Sequence, residues 1–190
     1  MKIISRINKK FKFYENKNEI KFKIYQTKSE YSKMNKRFRN FVMALQGPPC
    51  SYCTCDVLCS SGTVDHVVPK DFIYKNLKKR NMLNEAINDL HNLFRVCERK
   101  NTEKGNSLLD DKLAGDEFSG LKARSYLYMH SRYDLNFTPY FLSDLKTYSL
   151  LHRPFLFEIR RSREISQYIG HLNTFVEYFP LTLGPVDKKY

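Results

Sequence analysis

The spacing of four polar residues between positions 65 and 101 constrains this chain more than any other feature of its sequence. Asp65 and His66 adjoin inside the otherwise apolar stretch 64–69, and Asn92 and Asn101 follow at intervals that leave room for a second strand and a helix. A carboxylate beside a histidine offers an oxygen ligand for a hard cation next to a base that can activate water. This part of the chain is therefore a candidate reaction centre.

The local pattern predicts a β-β-α unit around these residues. Apolar and β-branched residues favour a strand over 63–68 and a second strand over 92–96. The polar run 98–104 favours a helix that crosses the two strands and that Gly105 ends. The stretch 70–84 is expected to be a polar, very basic connection.

The four polar residues suit phosphodiester hydrolysis, which needs activated water, neutralised phosphate charge and a stabilised leaving oxygen. One metal ion and one histidine can supply most of this. We predict that His66 is the general base, and that Asp65 and Asn101 bind one Mg²⁺ ion that keeps several waters. Asn92 is predicted to hold the loop that carries His66 through hydrogen bonds to its backbone.

A basic side chain must also meet the phosphate. Arg80, Arg95 and Arg99 all suit this role, and the sequence does not choose between them. Arg99 is grouped with His66 and Asn92 in the predicted catalytic set. Each residue taken singly is more often structural than catalytic, so the prediction depends on the order of the whole set.

The regions on either side of this centre differ from each other in their periodicity. Alternating residues over 2–26 favour an extended arm, and helical spacing over 27–45 favours a basic amphipathic helix. The last third of the chain favours helices over 118–133, 139–151 and 154–169. The core candidates of these helices are Leu121, Tyr128, Leu142, Leu145, Ile159 and Ile165.

The positive charge is concentrated at the beginning of the chain. Residues 1–46 contain thirteen basic and three acidic residues, and so carry +10 of the net charge of +13, with aromatic residues interleaved. This pattern favours contact with a polyanion, with aromatic rings available for stacking, over a merely solvated basic face. The side chains predicted to contact nucleic acid are those of Lys9, Lys10, Lys12, Lys36, Arg37 and Arg39.

The sequence also predicts the cellular compartment of the protein. An apolar run of about 18 residues would be needed to span a membrane, and the chain has none. The first twenty residues lack a secretory signal, and residues 1–14 are basic without an acidic residue. We expect an intracellular protein, with the mitochondrial matrix as one candidate compartment.

Several blocks of the sequence resemble the endonuclease I family of non-specific ββα-metal nucleases. The block 65–69 is similar to its Glu-His-Val-Val-Pro block, and 89–93 followed by Asn101 is similar to its Asp-x-x-Asn-Leu block and ligand asparagine. The stretches 123–133 and 158–180 follow the spacing of its later helix and C-terminal signature. The resemblance implies an α+β fold with a ββα-metal core, and metal-dependent cleavage of DNA and RNA with little sequence preference.

The chain departs from the family pattern at two places. Asp65 stands where the family has a glutamate, which is longer by one methylene. Around Gly170 the family carries polar Gln, Asn and Arg, whereas this chain has Ile169, His171 and Leu172. The last change removes a charge that could organise the fold or a substrate groove.

Four of the five cysteines fall within positions 50 to 59, and without a secretory signal metal ligation or reduced thiols fit them better than disulfides. Cys97 follows the second strand, where related His-Asn-His nucleases carry a zinc-knuckle cysteine. Cys50, Cys53, Cys97 and either Cys55 or Cys59 could form a tetrahedral zinc site. The alternative is a set of reduced, partly buried cysteines.

These observations predict a basic arm and helix at 1–46, an endonuclease I-like domain at 47–180 and an extended tail at 181–190. Two functions agree with them. One is a metal-dependent endonuclease that cleaves DNA or RNA. The other is a nuclease-derived, catalytically weak or inactive RNA-binding subunit of a ribonucleoprotein such as a mitochondrial ribosome, with ribosomal RNA and ribosomal proteins as partners.

Overall fold

The structure, a computed structural model, describes residues 36–46, 51–52, 62–108 and 118–179. They form a mixed α+β fold that is mostly helical and has a small antiparallel sheet, which confirms the predicted class. In chain order, the elements are α1 (Lys36–Gln46), β1 (Gly62–His66), α2 (Lys70–Asn76), a 3₁₀ turn (Arg80–Met82), α3 (Leu83–Asn88), a second 3₁₀ turn (Leu90–Asn92), β2 (Leu93–Cys97), α4 (Glu98–Lys104), α5 (Ser119–Tyr133), α6 (Pro139–Leu151), α7 (Leu156–Ile169) and α8 (Thr174–Glu177).

The two strands and α4 follow the predicted order. Strand β1 pairs antiparallel with β2, with Gly62 opposite Cys97 and His66 opposite Leu93. Helix α4 begins directly after β2 and packs against both strands. The bounds of α4 are those predicted, and Gly105 ends it with a positive φ of 55°. Both strands lie within one or two residues of their predicted positions.

Helix α1 belongs to the same packed unit as the sheet. Its Phe41 and Val42 are buried in a cluster with Val64 of β1, Leu93 of β2 and Ile165 of α7. Apolar burial of this kind is the main force that holds an element to its neighbours. The basic helix is therefore a structural part of the fold.

The last residue of α1 also satisfies the open edge of β2. The Gln46 side chain donates from Nε2 to the Arg95 carbonyl at 3.0 Å and accepts from the Arg95 amide at 2.8 Å. The Ser51 amide donates to the same carbonyl at 3.1 Å. An amide side chain thus takes the place of a neighbouring strand, which leaves these backbone groups paired.

The three long C-terminal helices, α5, α6 and α7, lie within two residues of their predicted bounds. Arg124 of α5 joins them: its guanidinium donates to Glu158 of α7 at 2.6 and 3.0 Å, and to the His152 carbonyl after α6 at 2.5 Å. Gly120 permits this approach, since a Cβ there would lie 2.6 Å from the Cβ of His152. Of the six core candidates, Leu121, Tyr128, Leu145 and Ile165 are buried, and Leu142 and Ile159 are half-buried.

The stretch 70–84, expected to be a polar, very basic connection, also contains helices. It contains α2, a 3₁₀ turn and the start of α3. Ile73 and Leu77 are buried against the main core, and burial of two apolar residues one turn apart stabilises a short helix in an otherwise polar segment. The composition of the segment concealed this apolar pair.

Several predictions fall outside the described residues. They concern the arm over 2–26, the beginning of the predicted helix 27–45, most of the cysteine-rich loop and the tail 181–190. Within the described ranges, no helix is both long and apolar enough to cross a membrane.

Candidate functional site

Asp65 is one half of a buried ion pair. The Tyr52 hydroxyl donates to its Oδ2 at 2.6 Å, and Lys104 Nζ lies 3.0 Å from Oδ2 and 3.2 Å from Oδ1. Only 8% of Asp65 and 5% of Lys104 are exposed. Burial raises the pKa of Asp65, because desolvation penalises its charged form, while the Lys104 ammonium and the Tyr52 hydroxyl oppose this rise.

His66 follows Asp65 in the strand but meets different partners. Successive side chains of a strand point to opposite faces, and here the imidazole Nε2 lies 2.8 Å from the carbonyl of Ile87 in α3. A carbonyl only accepts hydrogen bonds, so Nε2 carries the proton and Nδ1 is the basic nitrogen. With 4% of its surface exposed, His66 has a pKa lowered by burial to about 3, and is neutral near pH 7.

Lys104 connects Asp65 and His66 to α4. Its ammonium donates to the His66 carbonyl at 2.8 Å as well as to the Asp65 carboxylate. Asn101 lies one turn earlier and is half-buried, and residues three apart share one side of a helix. The structure therefore brings Asp65 and Lys104 into contact and places the side of α4 that carries Asn101 towards β1.

Asn92 makes the contacts predicted for it. Its Oδ1 accepts from the Val68 amide at 2.7 Å, and its Nδ2 donates to the Val68 carbonyl at 3.0 Å. The Val67 amide also donates to the Asn92 carbonyl at 2.9 Å. These bonds confirm that Asn92 holds the loop after His66, while its place in a catalytic set stays a prediction.

The C-terminal helices brace the turn that carries Asn92. Arg161 of α7 donates to the carbonyls of Leu90 and Leu93, on either side of Asn92, and its guanidinium lies over the Phe94 ring at 4.0 Å. The buried Asp89 accepts from the hydroxyls of two tyrosines of α5, Tyr128 at 2.9 Å and Tyr133 at 2.5 Å. The position of the turn that carries Asn92 thus depends on residues 39 to 71 positions away along the chain.

The three arginines considered for the phosphate have different surroundings. Arg99 is exposed on α4 and forms an ion pair with Glu103 at 2.5 Å. Arg80 is exposed and donates to the Tyr74 carbonyl. Arg95 is half-buried in β2, with its side chain packed beside Gly62. Among the described residues, Lys104 is the cation that contacts the Asp65 carboxylate. Its sequence pattern did not predict this role, although it lies three residues after Asn101.

The surroundings of Asp65 do not fit the predicted divalent cation. Carboxylate and amide oxygens are suitable donors for Mg²⁺, but both oxygens of Asp65 are engaged by an ammonium group, and Oδ2 by a phenol as well. A divalent cation on this carboxylate would lie beside that ammonium and be repelled by it. The described residues also contain no group of three or more His, Cys, Asp or Glu side chains that could hold a metal ion.

The remaining predicted site residues are described only in part. Cys97 is buried at the end of β2, and Arg39 is half-buried in α1. Lys36 and Arg37 lie in the first turn of α1. Cys50, Cys53, Cys55, Cys59, Lys9, Lys10 and Lys12 lie outside the described residues. The zinc site and the contacts of the arm with nucleic acid stay predictions.

No protein-family model matches the chain, and no curated protein matches it.

Proposed function

We propose that this chain is a nucleic-acid-binding protein that resembles a ββα nuclease in the order of its strands and helix but does not cleave. Its role would be that of an RNA-binding structural subunit of a ribonucleoprotein. The single observation that carries the proposal is the buried contact of Lys104 with the Asp65 carboxylate and the His66 carbonyl.

The electrostatics of this contact argue against cleavage. A metal ion would supply the positive charge that a phosphodiester needs, yet here the charge next to Asp65 is an ammonium. A buried carboxylate and a buried ammonium each lose hydration, and their mutual attraction offsets this cost only while they stay together. Displacing Lys104 with a metal ion would leave a buried ammonium without its carboxylate.

The surroundings of His66 point in the same direction. A general base must reach the water that it activates. His66 is buried against its own chain, and its low pKa makes it a weak base near pH 7. A buried, neutral histidine bonded to a backbone carbonyl is what a structural role requires.

The charge of the chain supports the nucleic-acid partner. The net charge is +13, and +10 of it lies in residues 1–46, where aromatic residues are interleaved. Phosphate contacts by such residues supply affinity without sequence preference and make it dependent on salt. The mitochondrial ribosome, with its RNA and proteins, is one ribonucleoprotein that would suit this proposal, and the mitochondrial matrix stays a predicted location.

A second candidate, a metal-dependent endonuclease, is favoured by the way His66 is oriented. The Ile87 carbonyl holds one tautomer, and Asn92 holds the loop after the histidine through two hydrogen bonds. A histidine with a selected tautomer is suited to accept a proton from water. In that case Asp65 and Asn101 would be the residues that hold the Mg²⁺, whose charge would neutralise the phosphate, and this requires that Lys104 does not occupy the Asp65 carboxylate.

The two candidates are separated by a cleavage assay with a matched pair of variants. Purified full-length protein is incubated with plasmid DNA and with RNA, with Mg²⁺, with Mn²⁺ and with a chelator, beside His66→Ala and His91→Ala. His91 is an apt control, because it is equally buried and its Nε2 lies 3.0 Å from the His171 carbonyl. Binding of the same nucleic acids is measured in parallel, over a range of salt concentrations.

We expect salt-dependent binding and no cleavage by the wild type under any of the divalent ions. Metal-dependent cleavage that His66→Ala lowers by about a hundredfold or more, and that His91→Ala retains, would establish the second candidate instead. Absence of binding at low salt would contradict both.

A further inference from the structure

The segment that follows the His66 loop carries an exposed basic surface outside the N-terminal arm. Residues 70–82 contain five basic residues and one acidic residue. Ile73 and Leu77 turn one side of the segment into the core. The charged side chains are therefore concentrated on the other side, which faces solvent.

Within this surface, three exposed cations lie within six residues of one exposed aromatic residue. Lys75, Lys79 and Arg80 are exposed, and Tyr74 is 42% exposed. The Arg80 guanidinium donates to the Tyr74 carbonyl, which keeps its charge beside the tyrosine. We call Tyr74, Lys75, Lys79 and Arg80 the α2 patch.

The nearby carboxylates do not cancel the charge of the α2 patch. Asp134 forms its ion pair with Lys78, at 3.3 Å, and Lys78 is for that reason not counted in the patch. Asp71 accepts a hydrogen bond from the Asn106 amide at 2.9 Å. Both carboxylates thus have other partners.

The patch is held close to the end of β1. The loop between β1 and α2 is fixed by Asn92, and at the start of α2 the Ile73 amide donates to the Pro69 carbonyl at 3.0 Å. The patch therefore adds positive charge to that of residues 1–46.

We propose that the α2 patch binds a single-stranded segment of nucleic acid, with Lys75, Lys79 and Arg80 on its phosphates and Tyr74 stacked on a base. This inference rests on the nucleic-acid binding proposed above. Positive charge attracts the phosphates of any nucleic acid, but an exposed aromatic residue in the same short segment as the cations favours a strand whose bases are unpaired. In a duplex the bases are stacked on each other and do not offer a face to Tyr74.

The test compares two triple variants that remove the same charge. One is K75Q/K79Q/R80Q in the patch, and the other is K146Q/R153Q/R160Q, three exposed residues in and between α6 and α7. Binding of the full-length proteins to a fluorescent single-stranded RNA, the matching single-stranded DNA and the DNA duplex is measured against salt concentration. Thermal melting of each variant verifies that it is folded. Tyr74→Leu tests the stacking separately.

We expect the patch variant to reduce the salt slope for single strands by about 2, since each phosphate contact contributes about 0.7. The control variant should change it much less. Tyr74→Leu should weaken single-strand binding by about tenfold and leave duplex binding unchanged. Equal losses in the two triple variants, or equal loss of strand and duplex binding in Tyr74→Leu, would overturn the patch while leaving the proposed function intact. Failure of the wild type to bind any of the three nucleic acids would overturn both.

Discussion

Two buried ion pairs in this protein differ in how completely they are satisfied. In the C-terminal helices, Arg124 makes two parallel bonds to Glu158 at 2.6 and 3.0 Å and further bonds to the carbonyls of Ser149 and His152. At the end of β1, Lys104 meets Asp65 at 3.0 and 3.2 Å and adds one carbonyl. The first pair is planar and bidentate, whereas the second joins a flexible ammonium to a carboxylate that a phenol also binds.

The difference separates an ion pair that joins helices from an ion pair at the predicted reaction centre. The Arg124 pair joins three helices and has the geometry that stabilises buried charge best. The Lys104 pair sits where the sequence predicts a metal ion, and the burial of Asp65 raises its pKa, so the carboxylate is less well compensated. The first pair therefore holds the C-terminal helices together, whereas the second places an ammonium where the sequence predicts a metal ion.

Breaking the Arg124 pair should have the largest effect on stability. Glu158→Gln leaves the guanidinium buried and without its carboxylate, which should lower the free energy of unfolding by about 3–5 kcal/mol. Urea unfolding monitored by circular dichroism measures this. The control is Glu103→Gln, whose partners Arg99 and Lys100 lie on the surface of α4, and it should leave stability unchanged within error. Equal losses in both variants would contradict the contrast.

Removing Lys104 should have a smaller effect and should expose the predicted metal ligands. Lys104→Met keeps most of the side-chain volume but leaves Asp65 with the Tyr52 hydroxyl as its remaining bonded side chain among the described residues, at a cost of about 2–3 kcal/mol. Mn²⁺ should then raise the melting temperature of Lys104→Met, because an ion that binds the native state stabilises it. Neither the wild type nor Asp65→Asn/Lys104→Met should respond. A Mn²⁺ response of the wild type equal to that of Lys104→Met would show that the ammonium does not compete with metal.

Two buried asparagines test how the loop between β1 and α2 is held. Asn92→Ala removes both bonds to Val68 and leaves a buried amide and carbonyl unpaired, which should cost about 2 kcal/mol. Asn173→Ala removes the cap of α8, where Oδ1 accepts from the Phe175 amide, and should cost about 1 kcal/mol. Chemical denaturation of both variants gives the comparison. A cost for Asn92→Ala below that of Asn173→Ala would mean that the loop is held by other contacts.

The two buried histidines predict the direction of the pH dependence. Burial lowers the pKa of His66 to about 3 and that of His91 to about 4, against 6.5 in the unfolded chain. Below pH 6.5 these histidines therefore bind protons in the unfolded chain but stay neutral in the native state. The free energy of unfolding should therefore decrease as the pH is lowered below 6.5. The decrease is up to about 1.4 kcal/mol per pH unit for each histidine, and it ends when the pH reaches the native pKa.

Urea unfolding at several pH values between 6.5 and 4 measures this slope. The raised pKa of Asp65 opposes this loss of stability at the acid end of the range, because the native state binds the Asp65 proton more readily than the unfolded chain does. His91→Gln, which cannot titrate, should flatten the slope by about one histidine's share. A slope that His91→Gln leaves unchanged would show that this histidine is not neutral in the native state.

The elements with strong local signals were predictable. The bounds of α4 and the long C-terminal helices followed from periodicity and from the residues that end helices, and the Asn92 bonds followed from the place of an amide just before a strand. Helix α2 was missed because its apolar pair, Ile73 and Leu77, stabilises a helix only by packing on the core. The role of Lys104 was missed because spacing along α4 shows which side it shares with Asn101, but not what that side meets.

The sequence by itself determined the order of the two strands, α4 and the long C-terminal helices, and the charge of the chain. Local periodicity and composition depend on neighbouring residues, so one chain suffices to interpret them. The tertiary structure alone decided that His66 is buried on the Ile87 carbonyl and that Asp65 is paired with Lys104. Those contacts join residues 21 and 39 positions apart, and both the burial and the partner of a charged group, which set its pKa and its chemistry, arise only when such distant segments pack together.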